Sequence, residues 1–158
     1  MVVKSRLQIA TGLLAVLTVA GGSLLAACGK DDDDEGNEFM SPGENCLSCH
    51  GSGGKAAKEA QFTLAGTVFS SATSSTDQGL EGVKIDVTDS AGKAISLTSN
   101  RVGNFFTSQA ISFPLKTVKV SKNGKEASMG TQVSSGGCAS CHAQPAAGGA
   151  PGRLYLSL

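Results

Sequence analysis

Between residues 62 and 132, apolar and polar residues alternate in short runs closed by turn signals, and this period of two constrains the fold more than any other feature. Phe62 to Phe69 sets Phe62, Leu64, Gly66 and Val68 on one face, and Gly82 to Asp89 does the same with Val83, Ile85 and Val87. Turns follow at Asp89 to Gly92, Val102 to Asn104 and Asn123-Gly124. The last lies between Leu115–Lys122 and Lys125–Gln132, and Asn-Gly between alternating runs is a hairpin signal. Further strands are expected at Ala94–Thr98, Asn104–Ser108 and Arg153–Leu158. About seven short strands predict a mainly β domain, an antiparallel β-sandwich with short helical or loop segments at both ends.

The core for such a sandwich is thin. With no Trp, one Tyr and six Phe, a domain of this size buries little aromatic surface, and something other than side chains is expected to fill its ends. The stretch Ser70 to Thr76 reads as an exposed connecting loop.

Residues Gly66 to Val68, Gly79 to Ile85, Asp89 to Gly92, Thr98 and Gly103 to Phe105 together resemble the carboxypeptidase regulatory-like, or transthyretin-like, sandwich module. The resemblance implies a scaffold and carries no catalytic residues with it.

The chain begins with Lys4 and Arg6, an apolar run from Leu7 to about Ala20, and then small residues up to Cys28. This reads as a secretory signal over residues 1–27. The run is shorter than the roughly 20 residues a spanning helix needs, and it breaks at Gly21-Gly22. Leu25-Ala26-Ala27-Cys28 resembles the lipobox of bacterial lipoproteins. That resemblance implies cleavage before Cys28, lipidation of its sulfur and tethering to a membrane outside the cytoplasm, at the periplasmic face or the cell surface. Residues 28–41 are then anchor and acidic linker, and residues 42–158 the domain.

Net charge is zero, but six acids fall within residues 30–38, against ten Lys or Arg and seven Asp or Glu in residues 39–158. The acidic run reads as a self-repelling spacer. Cys28-Gly29-Lys30-Asp31-Asp32 is also similar to a lysine-plus-acids signal for lipoprotein export to the cell surface. No basic stripe interleaved with aromatics exists, which excludes a nucleic-acid partner.

With Cys28 assigned to lipid, Cys46, Cys49, Cys138 and Cys141 remain as two matched pairs. They form Cys46-Leu47-Ser48-Cys49-His50 and Cys138-Ala139-Ser140-Cys141-His142, and each histidine that closes a pentapeptide is one of the two in the chain. This is the c-type haem attachment signature. Two thiols one helical turn apart suit the two vinyl groups on a haem edge, and the next residue, His50 or His142, is carried to the iron as proximal ligand. A Cys₄ zinc site would leave both histidines unexplained. Two disulfides suit the compartment but place no demand on the following residue. A thioredoxin-type redox pair expects a βαβ context that is missing.

The chain thus resembles a small dihaem c-type cytochrome with two covalently bound haems, and the resemblance implies an electron carrier rather than a catalyst, working with a redox partner protein. An open-site haem enzyme or gas or peroxide sensor, and a colourless lipoprotein with disulfide-paired motifs, are the alternatives.

Both histidines are used proximally, which makes methionine the next distal candidate. Met40 lies six residues before Cys46 and Met129 nine before Cys138. At about 3.3 Å per residue the nearer one reaches around a haem edge. Each methionine serving its own haem, and a crosswise arrangement, are both open; so is plain packing. Pro42-Gly43 and Gly136-Gly137 before the motifs read as close backbone approach or as turns, and Pro145 to Gly152 as a wrap or a flexible loop. Arg153, Lys55 and Lys58 read as propionate partners or as surface charges.

Overall fold

The computed structural model describes residues 37–158. The expected signal sequence over residues 1–27, Cys28 with its expected lipid and the acidic run up to Glu35 lie outside the described residues. Among those described, no helix is long and apolar enough to cross a membrane.

The domain is mainly β, built from six strands in two antiparallel sheets. Strands β1 (Leu64–Thr67) and β4 (Asn104–Thr107) pair with Leu64 opposite Thr107 and Thr67 opposite Asn104. The second sheet has the order β3-β2-β5-β6, from β2 (Lys84–Thr88), β3 (Ala94–Thr98), β5 (Thr117–Lys122) and β6 (Lys125–Ser128).

Register follows the alternation. Ile85 stands between Leu97 and Val120, and Val87 between Ile95 and Val118. Cross-strand partners share a face, so these rows form one apolar surface. Leu64 and Phe105 of the first sheet, and Val68 just beyond β1, pack onto it. Val83, Ile85 and Val87 are all buried, as the pattern requires.

The hairpin between β5 and β6 turns at Asn123 (φ 52°) and Gly124 (φ 75°). Positive φ at both central residues is the type I′ geometry that matches strand twist.

Two expected strands fall short. Lys125–Gln132 stops pairing as β6 at Ser128, although Met129 N–H still donates to Val118 O at 3.0 Å. Arg153–Leu158 makes a single parallel bridge, Tyr155 to Phe69, flanked by Phe69 N–H to Leu154 O (2.8 Å) and Leu156 N–H to Phe69 O (3.0 Å). The strand it would pair with is spent there: beyond Phe69 the chain turns, with Ser74 Oγ accepting the Ser71 N–H. Ser74 is buried, so the Ser/Thr-rich loop is anchored and not wholly exposed.

Strand β1 organises both cysteine motifs. Its free edge is taken by Gly136-Gly137, with Ala65 N–H donating to Gly136 O at 2.9 Å. Its outward residue Thr67 accepts the Gly43 N–H (2.9 Å) and donates to Asn104 Oδ1 (2.7 Å), while Asn104 Nδ2 holds Met40 O (2.9 Å). The segment before the first motif therefore lies on the outer face of the β1–β4 sheet. The second motif enters along its edge.

Candidate functional site

The two pentapeptides adopt one local structure. In the helical turn α1 (Leu47–His50) the His50 N–H donates to Cys46 O at 2.8 Å, and at Cys138–Ser140 the His142 N–H donates to Cys138 O at 2.9 Å. Such short turns are unstable alone. Each has the same additional tie: Ser48 Oγ donates to Asn45 O (2.7 Å) and Ser140 Oγ to Gly137 O (2.6 Å). These ties are the role of the serine that stands third in both motifs, and its recurrence there is visible in the sequence.

The histidines are set alike as well. His50 Nδ1 lies 2.8 Å from Ala60 O, and His142 Nδ1 lies 2.9 Å from Gly152 O. A carbonyl only accepts, so Nδ1 carries the proton and Nε2 keeps its lone pair. This is how metal-binding histidines are oriented. His142 Nε2 is buried and has no hydrogen-bond partner. Leaving such an acceptor unmet costs about 1–3 kcal/mol, which a ligand to that nitrogen would recover. The His50 ring instead stacks on Phe62 at 4.7 Å, and Phe62 on Phe106 at 4.6 Å.

Cys46, Cys138 and Cys141 are free thiols. Burial pushes the Cys138 thiol up to about 12, helped by the neighbouring Cys46, and burial likewise raises Cys46. Both are therefore protonated at neutral pH. The motifs touch: a Cβ on Gly137 would stand 2.8 Å from Asn45 Oδ1 and 3.7 Å from Leu47 Cβ. On the inner face, Gly66 makes room for the second motif. A side chain there would meet Cys138 Cβ at 2.8 Å and the Phe105 ring at 2.9 Å. Even so, no three Cys, His, Asp or Glu side chains converge as a metal-binding group among the described residues.

A cavity of about 890 Å³ opens between the sheets beside the second motif. Cys138, Cys141, His142 and Met129 line it together with the core residues Leu64 and Leu156. Its size falls in the range of small-molecule and cofactor sites. Residues 148–150 form part of the wall, and Ala147 N–H donates to Cys141 O at 2.9 Å, so the Gly/Ala-rich segment folds back onto the motif.

Met40 is 42 % exposed and outside that cavity. Lys55 and Lys58 are exposed. Arg153 is neither a surface charge nor directed at the motif by its guanidinium: it is buried, with Nε donating to Ser74 O (3.1 Å), Nη1 to Gly43 O (3.3 Å) and its head over the Phe69 ring. It braces the segment before the first motif.

No protein-family model, no curated protein and no solved structure matches this chain.

Proposed function

We propose that the protein is a membrane-tethered, extracytoplasmic dihaem c-type cytochrome that carries electrons. The observation that supports this most is the repeated cradle: two CxSCH turns, each with its histidine Nδ1 bonded to the carbonyl ten residues on, leaving Nε2 as an electron-pair donor. At the second motif that donor is buried, unpartnered and beside an apolar cavity.

In this reading Cys46 and Cys49 would hold one haem and Cys138 and Cys141 the other, each through a thioether formed by adding S–H across a vinyl double bond; Cys49 is disulfide-bonded, so a thiol reductant would have to open that bond first. His50 and His142 are the proximal ligands, with Met129 and Met40 as distal candidates. Haem supplies a one-electron change at iron. The chain's own work is to fix the histidine tautomer, keep the buried Cys46 and Cys138 thiols protonated, and wall the second site with apolar side chains. Cys28 supplies the lipid anchor, and a redox partner protein exchanges the electrons.

The test is expression of the full chain in a bacterium with c-type haem maturation, followed by haem counting on the denatured protein. Two covalent haems per chain are expected, one when either cysteine pair is changed to Ser, and a haem-free wild type refutes the reading. Cys28→Ser should move the protein from the membrane to the soluble fraction.

A further inference from the structure

The two motifs meet at their leading cysteines. Residue 137 is glycine, and a Cβ there would stand 2.8 Å from Asn45 Oδ1 and 3.7 Å from Leu47 Cβ. The residues on either side of Cys46 therefore lie against the residue that precedes Cys138. Strand β1 fixes the second segment in that position through the Ala65–Gly137 bridge, and Gly66 leaves room for the Cys138 side chain, since a Cβ at position 66 would stand 2.8 Å from Cys138 Cβ. The first segment is held on the outer face of the same strand, where the Gly43 N–H donates to Thr67 Oγ1 at 2.9 Å. One strand thus anchors both segments.

The thiols differ in a way that follows this placement. Cys46 and Cys138 are free and partly buried, and Cys141 is free and exposed. Cys49 is already disulfide-bonded. A charge on Cys46 raises the Cys138 thiol more than one on Cys141 does, although Cys141 belongs to the same turn. Coulomb interaction falls with distance, so Cys138 has the thiol of the other motif as a close neighbour.

We infer that Cys46 and Cys138 form a disulfide between the two motifs in the haem-free chain. A disulfide oxidant supplies the chemistry: the Cys46 thiolate attacks one of its sulfurs and expels a thiol, and the Cys138 thiolate then attacks the Cys46 sulfur and expels the second. Two protein thiols are oxidised, one disulfide is reduced, and the two protons pass to the thiols released. Such a bond suits the oxidising compartment expected for an exported chain. It closes a loop that contains all six strands, and bridges across long loops restrict the unfolded chain most. It also withdraws one thiol from each motif. On the dihaem reading, thioether formation then waits for a thiol reductant.

The test treats the haem-free full chain with oxidised glutathione, caps the remaining thiols with iodoacetamide and maps linked peptides by mass spectrometry. A Cys46–Cys138 link with Cys141 capped is expected in the wild type, together with a higher Tm than before treatment. Cys141→Ser, at an exposed position, should keep both the link and the rise in Tm, and Cys46→Ser and Cys138→Ser should lose both. A Cys138–Cys141 or Cys46–Cys49 link, or glutathione left on Cys46 with Cys138 capped, overturns the inference. Haem plays no part in this readout, so a low haem count would overturn the cytochrome reading and leave the disulfide standing.

Discussion

His142 is tied through Nδ1 to the carbonyl of Gly152 at 2.9 Å, and His50 makes the same bond to Ala60 across the same separation of ten residues. The two intervening segments, Gly51–Ala60 and Ala143–Gly152, have little sequence in common. What they share is a length that returns a carbonyl to the imidazole, so the bond is a property of the loop's path and not of its side chains.

This gives a prediction at Gly152, where φ is 130° and a Cβ would stand 2.4 Å from Ala72 O. Gly152→Ala must shift the backbone that carries the acceptor. Nitrogen-labelled imidazole spectra of the haem-free protein should show two protected Nδ1–H signals, and the variant should lose the one from His142. The accompanying loss of stability should be about 1–3 kcal/mol.

Gly66 is a second strict position, because the inner face of β1 is occupied by Cys138 and Phe105. Gly66→Ala should destabilise the domain by about 1–3 kcal/mol in denaturant melts and lower haem attachment at the second motif more than at the first. Gly130→Ala, with nothing within 4 Å of the new Cβ, should be close to neutral in both measurements.

Arg153 is a buried cation whose guanidinium hydrogen bonds go to the carbonyls of Ser74 and Gly43. Arg153→Met keeps the stem against Phe69 and removes both bonds. A loss of about 1–3 kcal/mol is expected, with faster amide exchange at Gly43. Unchanged exchange there would show that the brace does not hold the first segment.

Stability should fall at both ends of the pH scale for separate reasons. Burial raises the folded Cys138 thiol from 9.0 to about 12, so its contribution is complete below about pH 9 and is lost as pH rises toward 12. The slope is at most about 1.4 kcal/mol per pH unit. Asp89 is held below the usual carboxylate range, chiefly by the Ser112 N–H and also by that of Lys93. Its contribution is complete above about pH 4 and is lost on further acidification. Haem-free protein melted across pH should lose the alkaline limb in Cys138→Ala and weaken the acid limb in Asp89→Asn.

The hairpin at Asn123-Gly124 and the burial of Val83, Ile85 and Val87 were legible because both depend on residues within a few positions of one another. The seventh strand was misread for the converse reason. Its alternation was real, but a strand also needs a partner along its length, and the neighbouring chain bridges it at one residue pair, Phe69 with Tyr155. Arg153 shows the same limit: the groups that bury it are 79 and 110 residues away in sequence, beyond any local pattern.

The sequence by itself determined the chemistry on offer: the CxSCH spacing that makes a helical turn, the strand period, and the confinement of histidine to two positions. These are local properties, set by bond geometry and by side chains that meet within one turn or one strand. Only the tertiary structure decided that both motifs gather on β1, that His142 rather than His50 has its free nitrogen buried, and that Met129 rather than Met40 lines the cavity beside it. Those distinctions arise from how the sheets pack, because burial depends on contacts made by residues far apart along the chain.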